Sequence, residues 1–313
     1  MKVENLNETL QKSRPNAKQS TIKMYEANLT KLKKMFDTDN YEFLKNVDKV
    51  MEKLEGKHFT TIKNYVNSIV ILLLALNSDG KYDKLLEKYD DERLKLTQMY
   101  EDANATNKIS EKQKVNFAPF EEVVEMTNKM ANELKGWKKK ELSAKEKTLL
   151  QVYLVYMIHL QLPMRNELAG MEAITKRKYN SMSDKEKESG NWLVMEKNKM
   201  FMSLNEYKTQ KTYKEITFPV PKDLEKLLRA YIRKYGMGVL LQTSTGKTIT
   251  RNQLSQLLLK FSQKYIGKKV STTMLRKIVL SHKFSEVNEE KKKMANIMAH
   301  STDIADKVYV KEA

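Results

Sequence analysis

The sequence predicts a mainly α chain of two domains, the second of them α+β with a small antiparallel sheet. Three observations lead there. Pro occurs 5 times and Gly 9 times in 313 residues, so long uninterrupted helices are expected. Apolar residues recur at helical spacing along most of the chain. One region, 191–221, changes to short alternating runs.

In chain order, Ile22, Tyr25, Leu29, Leu32, Met35 and Phe36 form a helical stripe behind a Ser20-Thr21 cap. Phe43, Leu44, Val47, Val50, Met51 and Leu54 form a second stripe. Thr60 or Thr61 is expected to cap a third helix whose end, SIVILLLAL, is apolar on every face and belongs in a core. Asn77-Ser78-Asp79-Gly80 stops it, and a fourth helix follows from about Tyr82 to Met99. Residues 1–105 therefore read as a four-helix domain, 106–116 as a polar linker and 117–313 as the second domain. In the second domain Phe120 to Leu134 is amphipathic. Ala144 to Leu160 contains LLQVYLVYMIHL, apolar all round, and is expected to be the central helix, ended by Pro163. Alternation at Phe201 and Ser203, and at Ile216, Thr217 and Phe218, predicts two or three antiparallel strands. Helices return from Lys222 onward.

Composition bounds the function. With no cysteine, a disulfide scaffold, a thiolate zinc site and a cysteine nucleophile are excluded, and a reducing compartment is expected. Four histidines, His58, His159, His282 and His300, are too scattered for a metal site, so no metal or cofactor is expected. Thr245-Gly246-Lys247-Thr248 has Leu241 where a P-loop needs glycine. It reads instead as a turn before a helix at Ile249–Phe261. The longest apolar run, Ile69 to Leu76, is far short of the ~20 residues that cross a bilayer. The opening MKVENLNETLQKS lacks an apolar signal core, so a soluble, intracellular protein with no membrane partner is expected.

Charge points to the partner. The net charge is +18, and it is uneven. Residues 1–110 hold 19 basic and 17 acidic side chains, whereas 111–313 hold 39 and 23. Lys226 to Ser285 contains 13 Lys and Arg and no Asp or Glu. An AT-rich genome explains abundant lysine but not missing carboxylates. A polyanion, double-stranded DNA first, is the expected partner. The candidate contacts are Lys211, Lys247, Arg251, Lys260, Lys264, Lys268, Lys269 and Lys277.

The chemistry-bearing motifs lie downstream of Pro163. LPMRNELAGM places Arg165 just after the buried helix. EYKTQKTYKEITFPVP places Lys208-Thr209 before a strand ending in Pro. MLRKIVLSH carries Leu275-Arg276 and Ser281-His282, and IMAHSTDIADKVYV carries His300-Ser301 and Tyr309. The interval from His300 to Tyr309 is nine residues. Together these elements resemble the tyrosine recombinases, the phage-integrase type of site-specific recombinase. That family shows an arginine after a buried helix, a lysine in a β-hairpin, L-R-x-x-x-x-x-H, L-G-H-S, and a tyrosine nine residues after the histidine. The resemblance covers about 120–313. The N-terminal helices are similar in kind to the family's core-binding domain. Thr273 stands where the family usually has a histidine, and Glu167 follows Arg165 by two residues where the family's acidic residue follows by three.

The resemblance implies transesterification at a DNA phosphodiester without metal. Tyr309 would attack phosphorus and displace the 5′ oxygen, leaving a 3′-phosphotyrosyl bond that conserves the energy for resealing. Arg165 and Arg276 would neutralise the non-bridging oxygens, because a guanidinium binds two of them and stays charged. His300 would donate to the same oxygens or take the tyrosine proton. Lys208, on a mobile hairpin shared with Lys211 and Lys214, would protonate the leaving oxygen. Read singly, Arg165 is also a helix C-terminal cation, Arg276 a phosphate clamp and His300 an interior histidine; His159 and His282 read as structural. Two other functions stay open: a type IB topoisomerase, and a catalytically weakened DNA-binding protein on the same fold, suggested by Thr273. A virus or mobile element is the expected source, with the protein in the host nucleus or cytoplasm. Only Val310 to Ala313 follow Tyr309, so a monomer that assembles, as a tetramer, on DNA is expected.

Overall fold

The computed structural model describes residues 1–105, 109 and 111–297, and the chain divides into two compact units, Met1–Ile109 and the residues from Ser110 onward. The molecule is mainly helical with a small mixed sheet.

The first unit is wholly helical. Helix α1 (Leu6–Ser13) is capped by Asn5, whose side chain accepts from Glu8 N. α2 (Gln19–Met35), a 3-10 turn at Glu42–Lys45, α3 (Val47–Leu54), α4 (Phe59–Leu76) and α5 (Asp83–Ala105) follow. The expected four-helix reading is corrected in two places. α1 is additional, and the second stripe is broken, because Asn46 is extended and caps α3 through Lys49 N. The expected caps differ too. α2 begins at Gln19 behind Lys18, ahead of Ser20 and Thr21. The α4 cap is His58, whose ring Nδ1 accepts from Thr60 N. α4 packs on α1, α2 and α5 around Leu10, Ile22, Leu29, Ile69, Leu72 and Leu73, all fully or almost fully buried. By length and composition α4 would suffice to cross a membrane, yet its residues Tyr65, Val66 and Ser68 to Leu73 are buried in this core. The Tyr89 hydroxyl is buried and donates to Leu44 O at 2.9 Å.

In the second unit, a helical turn α6 (Glu111–Lys114) occupies part of the expected linker, and α5 runs on to Ala105, past the expected Met99. α7 (Phe120–Glu133) and α8 (Ala144–Gln161) come next. β1 (Glu172–Thr175), α9 (Lys176–Ser181), α10 (Asp184–Glu188), β2 (Asn191–Met195) and β3 (Met200–Leu204) lead to α11 (Gln210–Tyr213) and β4 (Ile216–Pro219). α12 (Lys222–Tyr235), β5 (Gly238–Val239), α13 (Arg251–Ile266) and α14 (Thr272–Ile297) complete the described chain.

The sheet order is β4-β3-β2-β1-β5. β1 runs parallel to β2, and the other neighbours are antiparallel, so the expected all-antiparallel sheet of two or three strands is a mixed one of five. α9 and α10 form the crossover that returns the chain to lie beside β1 in the same direction. At four and two residues, β1 and β5 are too short to display a period of two. β5 also needs Gly238, whose φ of 103° excludes other side chains without strain.

α8 is the core helix, as its sequence predicts. Leu149, Leu150, Val152, Leu154, Val155, Tyr156, Ile158, His159 and Leu160 are buried, with α7, α12, α13 and α14 packed around them. Ser143 and Glu146 form a capping box at its start. It stops at Gln161 because Leu162, which precedes Pro163, is extended (φ −125°, ψ 86°). The Tyr156 hydroxyl donates to Leu258 O at 2.9 Å, tying α8 to α13. The 245–248 segment is a turn, with Gly246 at φ 77°, and α13 begins behind a Thr250–Gln253 capping box.

Candidate active site

Four segments meet at one end of the second unit: the loop after α8, the loop after β3, the start of α13 and the first turn of α14. Pro163 ends α8 and turns the chain so that Arg165 is exposed. Its carbonyl lies 3.1 Å from Nε2 of the fully buried His159, whose Nδ1 lies 2.8 Å from Val155 O. Burial holds the His159 pKa below the ordinary imidazole value, and the charge of Arg276 adds to this. His159 is thus a neutral ring that fixes the backbone beneath Arg165, in keeping with its structural reading.

Arg276 comes from the first turns of α14 and is half-buried. Burial lowers its pKa first, and the adjacent positive charge of Arg165 lowers it further, while buried Glu167 opposes both. Arg276 therefore lies within electrostatic reach of Arg165 and Glu167. Arg276 Nη2 donates to Thr273 Oγ1 at 3.2 Å, so Thr273 holds the guanidinium. Arg276 Nε is buried without a partner, as are Glu167 Oε2 and Asn166 Oδ1. Three unpaired buried polar atoms on adjacent segments are costly, roughly 1–3 kcal/mol each, and call for a reason.

Lys208 is exposed on the loop after β3. That loop is joined to the Arg165 loop by buried Asn191 at the head of β2. Asn191 Nδ2 donates to Glu167 O (3.2 Å) and Glu206 O (3.1 Å), and its Oδ1 accepts from Asn205 N (3.0 Å) and Glu206 N (2.9 Å). Arg251 Nη2 donates to Glu206 O at 2.8 Å and lies 3.4 Å from Glu206 Oε1. Asn166 Nδ2 donates to Ser255 Oγ at 2.8 Å. The expected hairpin is present, since β3 and β4 pair antiparallel on either side of this loop, and within the loop the Tyr207 hydroxyl donates to Lys214 O at 2.7 Å. Lys214 sits at φ 54°, which is strained for any residue but glycine. His300 and Tyr309 lie outside the described residues.

The candidate DNA contacts fall into two groups. Arg251 pairs with Glu206, Lys264 with Glu133 at 3.5 Å, and Lys268 with Glu122. Lys277 donates to Gln113 Oε1 at 2.9 Å. The absence of carboxylates within 226–285 is therefore partly offset by α7, which folds Glu122 and Glu133 against it. The side chains of Lys211, Lys247, Lys260 and Lys269 are exposed and form no ion pair among the described residues. His282 stacks on Phe120 (3.9 Å between centroids, 4° between planes), with Nδ1 3.5 Å from a Glu121 carboxylate oxygen. Among the described residues no cluster of three or more His, Asp and Glu could hold a metal ion.

A cleft of about 370 Å³ between α8 and α13 is lined by Gln151, Asn252, Gln256 and Lys260, and includes neither Arg165 nor Arg276. Arg165 is exposed and Arg276 half-buried outside that cleft. Asn166, Asn191 and Glu206 were not foreseen from sequence, where nothing distinguishes them from other polar loop residues. In comparison with known proteins, no family model, no curated protein and no solved structure matches the chain. What bears on its chemistry is therefore the set of residues around Arg165 and Arg276.

Proposed function

We propose that this chain cleaves and rejoins DNA through a 3′-phosphotyrosyl intermediate, as a site-specific recombinase or integrase of the tyrosine type. On this reading the second unit has a tyrosine recombinase-like fold and the N-terminal unit is its core-binding domain. The observation that carries the reading is the buried, unpartnered Nε of Arg276, set within electrostatic reach of Arg165. Two guanidinium groups repel each other, and one of them has a buried donor without an acceptor. A phosphodiester would supply the missing charge and acceptors together. The exposed lysines without an ion pair among the described residues, Lys211, Lys247, Lys260 and Lys269, would meet further phosphates.

The steps follow from the residues. The arginines hold the non-bridging oxygens, Tyr309 gives its proton to His300 as its oxygen forms the bond to phosphorus, and the 5′ oxygen departs with a proton from Lys208. His300 adds a donor as charge develops on the phosphoryl oxygens. Thr273 cannot shuttle a proton as imidazole does near neutral pH. Its hydroxyl acts by orienting Arg276 instead. The protein works as a monomer in solution that assembles, as a tetramer, on the DNA of a virus or mobile element, inside the host cell.

A nicked suicide substrate tests the reading. Wild type should form a covalent adduct, and Tyr309→Phe should form none while binding DNA nearly as well. An adduct on the mutant would move the nucleophile to another tyrosine. No adduct with wild type would favour the weakened DNA-binding protein. Relaxation of supercoils without joining of two duplexes would favour the topoisomerase.

A further inference from the structure

α14 is 26 residues long, and its second half leaves the body of the unit. Up to Val279 it is anchored by buried Met274, Leu275, Ile278 and Val279. From Leu280 to Met294 every side chain described is exposed. Four of them are large and apolar: Leu280, Phe284, Val287 and Met294, at 43%, 49%, 49% and 55% exposure. Their spacing of four, three and seven follows a 3.5-residue repeat, which draws one continuous stripe along a helix, with Lys291 at the remaining position. An isolated apolar stripe on a projecting helix is unfavourable in water and marks an interaction surface.

We propose that this stripe pairs with the same stripe of a second copy of the chain, antiparallel, about a two-fold axis between Ser285 and Glu286. In that register Phe284 packs on Val287 of the second copy, and Leu280 packs on the aliphatic stem of Lys291. Lys283, whose Nζ reaches Gln161 O at 3.5 Å in the single chain, would turn from it to flank the seam opposite Glu290 of the second copy, and the two-fold axis repeats this pair. Charge selects the orientation. Parallel in-register pairing would stack Lys291 against Lys291 and offer Lys283 only Asn288. The contact is isologous and therefore closed. Three apolar side chains from each copy, Leu280, Phe284 and Val287, bury well under the ~1,200 Å² of a stable interface. The pairing is consequently weak for free protein and strong where two copies are held on one scaffold. It does not depend on the DNA reading, and its test uses no DNA.

The chain has no cysteine, so introduced thiols report without background. Full-length Lys283→Cys and Glu290→Cys proteins, mixed at hundreds of micromolar under mild oxidation, should give a crosslinked dimer well above either protein alone. By sedimentation equilibrium, Glu290→Lys should weaken self-association several-fold, and Lys283→Glu with Glu290→Lys should restore it. Val287→Asp should abolish it. These positions are exposed, so folding is retained. A chain monomeric at every concentration, crosslinks as strong within each protein alone, or association indifferent to Val287→Asp would each overturn the proposal.

Discussion

The two units bury polar groups in different ways. In the N-terminal unit each buried polar group described above is answered locally. Tyr89 has Leu44 O, and Ser68 donates to Asn64 O at 2.8 Å while accepting from Asn28 at 3.0 Å. Asp90 Oδ1 is the exception, buried without a hydrogen-bond partner, though the Arg93 guanidinium lies 3.0 Å away as an ion pair. In the second unit the helical core is equally well satisfied, as Tyr156 shows, but the rim is not. Asn166, Glu167 and Arg276 each leave a buried polar atom unpaired within a few residues of one another. The N-terminal unit also has nearly balanced charge, with 19 basic and 17 acidic residues in 1–110. The contrast teaches that such cost is concentrated where a ligand would be held, with three unpartnered atoms there against one, Asp90 Oδ1, beside an arginine in the N-terminal unit.

The arginine pair offers the largest test of that contrast. Arg276→Lys or Arg165→Lys should lower strand cleavage by ~10²–10³, since charge is kept but bidentate geometry is lost. Thermal stability should be unchanged, or raised for Arg276. Near wild-type cleavage would remove that arginine from the site. Core truncation comes next. Leu154→Ala should cost ~2–5 kcal/mol. Both tryptophans, Trp137 and Trp192, are buried in the second unit, so its unfolding is read by their fluorescence. Leu72→Ala should destabilise the N-terminal unit by a similar amount, seen by far-ultraviolet circular dichroism, and leave the tryptophan transition in place. A shifted tryptophan transition would mean that the units unfold as one block.

A pH experiment separates the units by a smaller margin. The folded pKa of His159 is lowered, so the unfolded chain binds the proton more readily. Its contribution is fully present above the unfolded value of ~6.5 and is lost as pH falls below it. Hydrogen exchange should therefore show α8 losing protection between about pH 7 and 5.5, with α4 steady, since the N-terminal unit buries no histidine. Equal losses would remove His159 as the cause. The smallest effect concerns single lysines. Lys247→Gln or Lys260→Gln should flatten the salt dependence of DNA binding by about one phosphate contact. Lys264→Gln and Lys268→Gln, already paired with Glu133 and Glu122, should do less. Equal slopes for all four would show that the internal pairs open on DNA.

Long apolar helices were legible because their pattern is local: α4 and α8 stand where SIVILLLAL and LLQVYLVYMIHL predict. The 245–248 turn and the stop at Pro163 were legible for the same reason, since one glycine or proline fixes them. β1 and β5 were not, because their pairing depends on where β2 lies rather than on their own few residues. His58 was missed as a cap because imidazole does so less often than the short hydroxyl, amide and carboxylate side chains. At the site, motif order brought Arg165 and Arg276 to notice, and they lie within electrostatic reach of each other. Asn191 acquires its role only through the geometry of loops distant in sequence, whereas Thr273, already singled out by its position, meets Arg276 three residues along the same helix. The pairing of Lys264 and Lys268 with α7 was invisible because the carboxylates lie over a hundred residues upstream.

The Tyr207–Lys214 bond has a consequence for how fast the site could work. It closes residues 207–214 into a ring, and Asn191 pins the entrance to that ring. A free loop of this length must give up backbone entropy each time its lysine is brought to a ligand, on the order of 1–2 kcal/mol per residue fixed. Here the loss has already occurred during folding, and the positive φ of Lys214 is part of what it cost. Lys208 is left with its own side-chain rotations to settle. Cutting the ring with Tyr207→Phe should therefore act on the activation entropy rather than the enthalpy of whatever step Lys208 serves, and it should do so without touching a charged group.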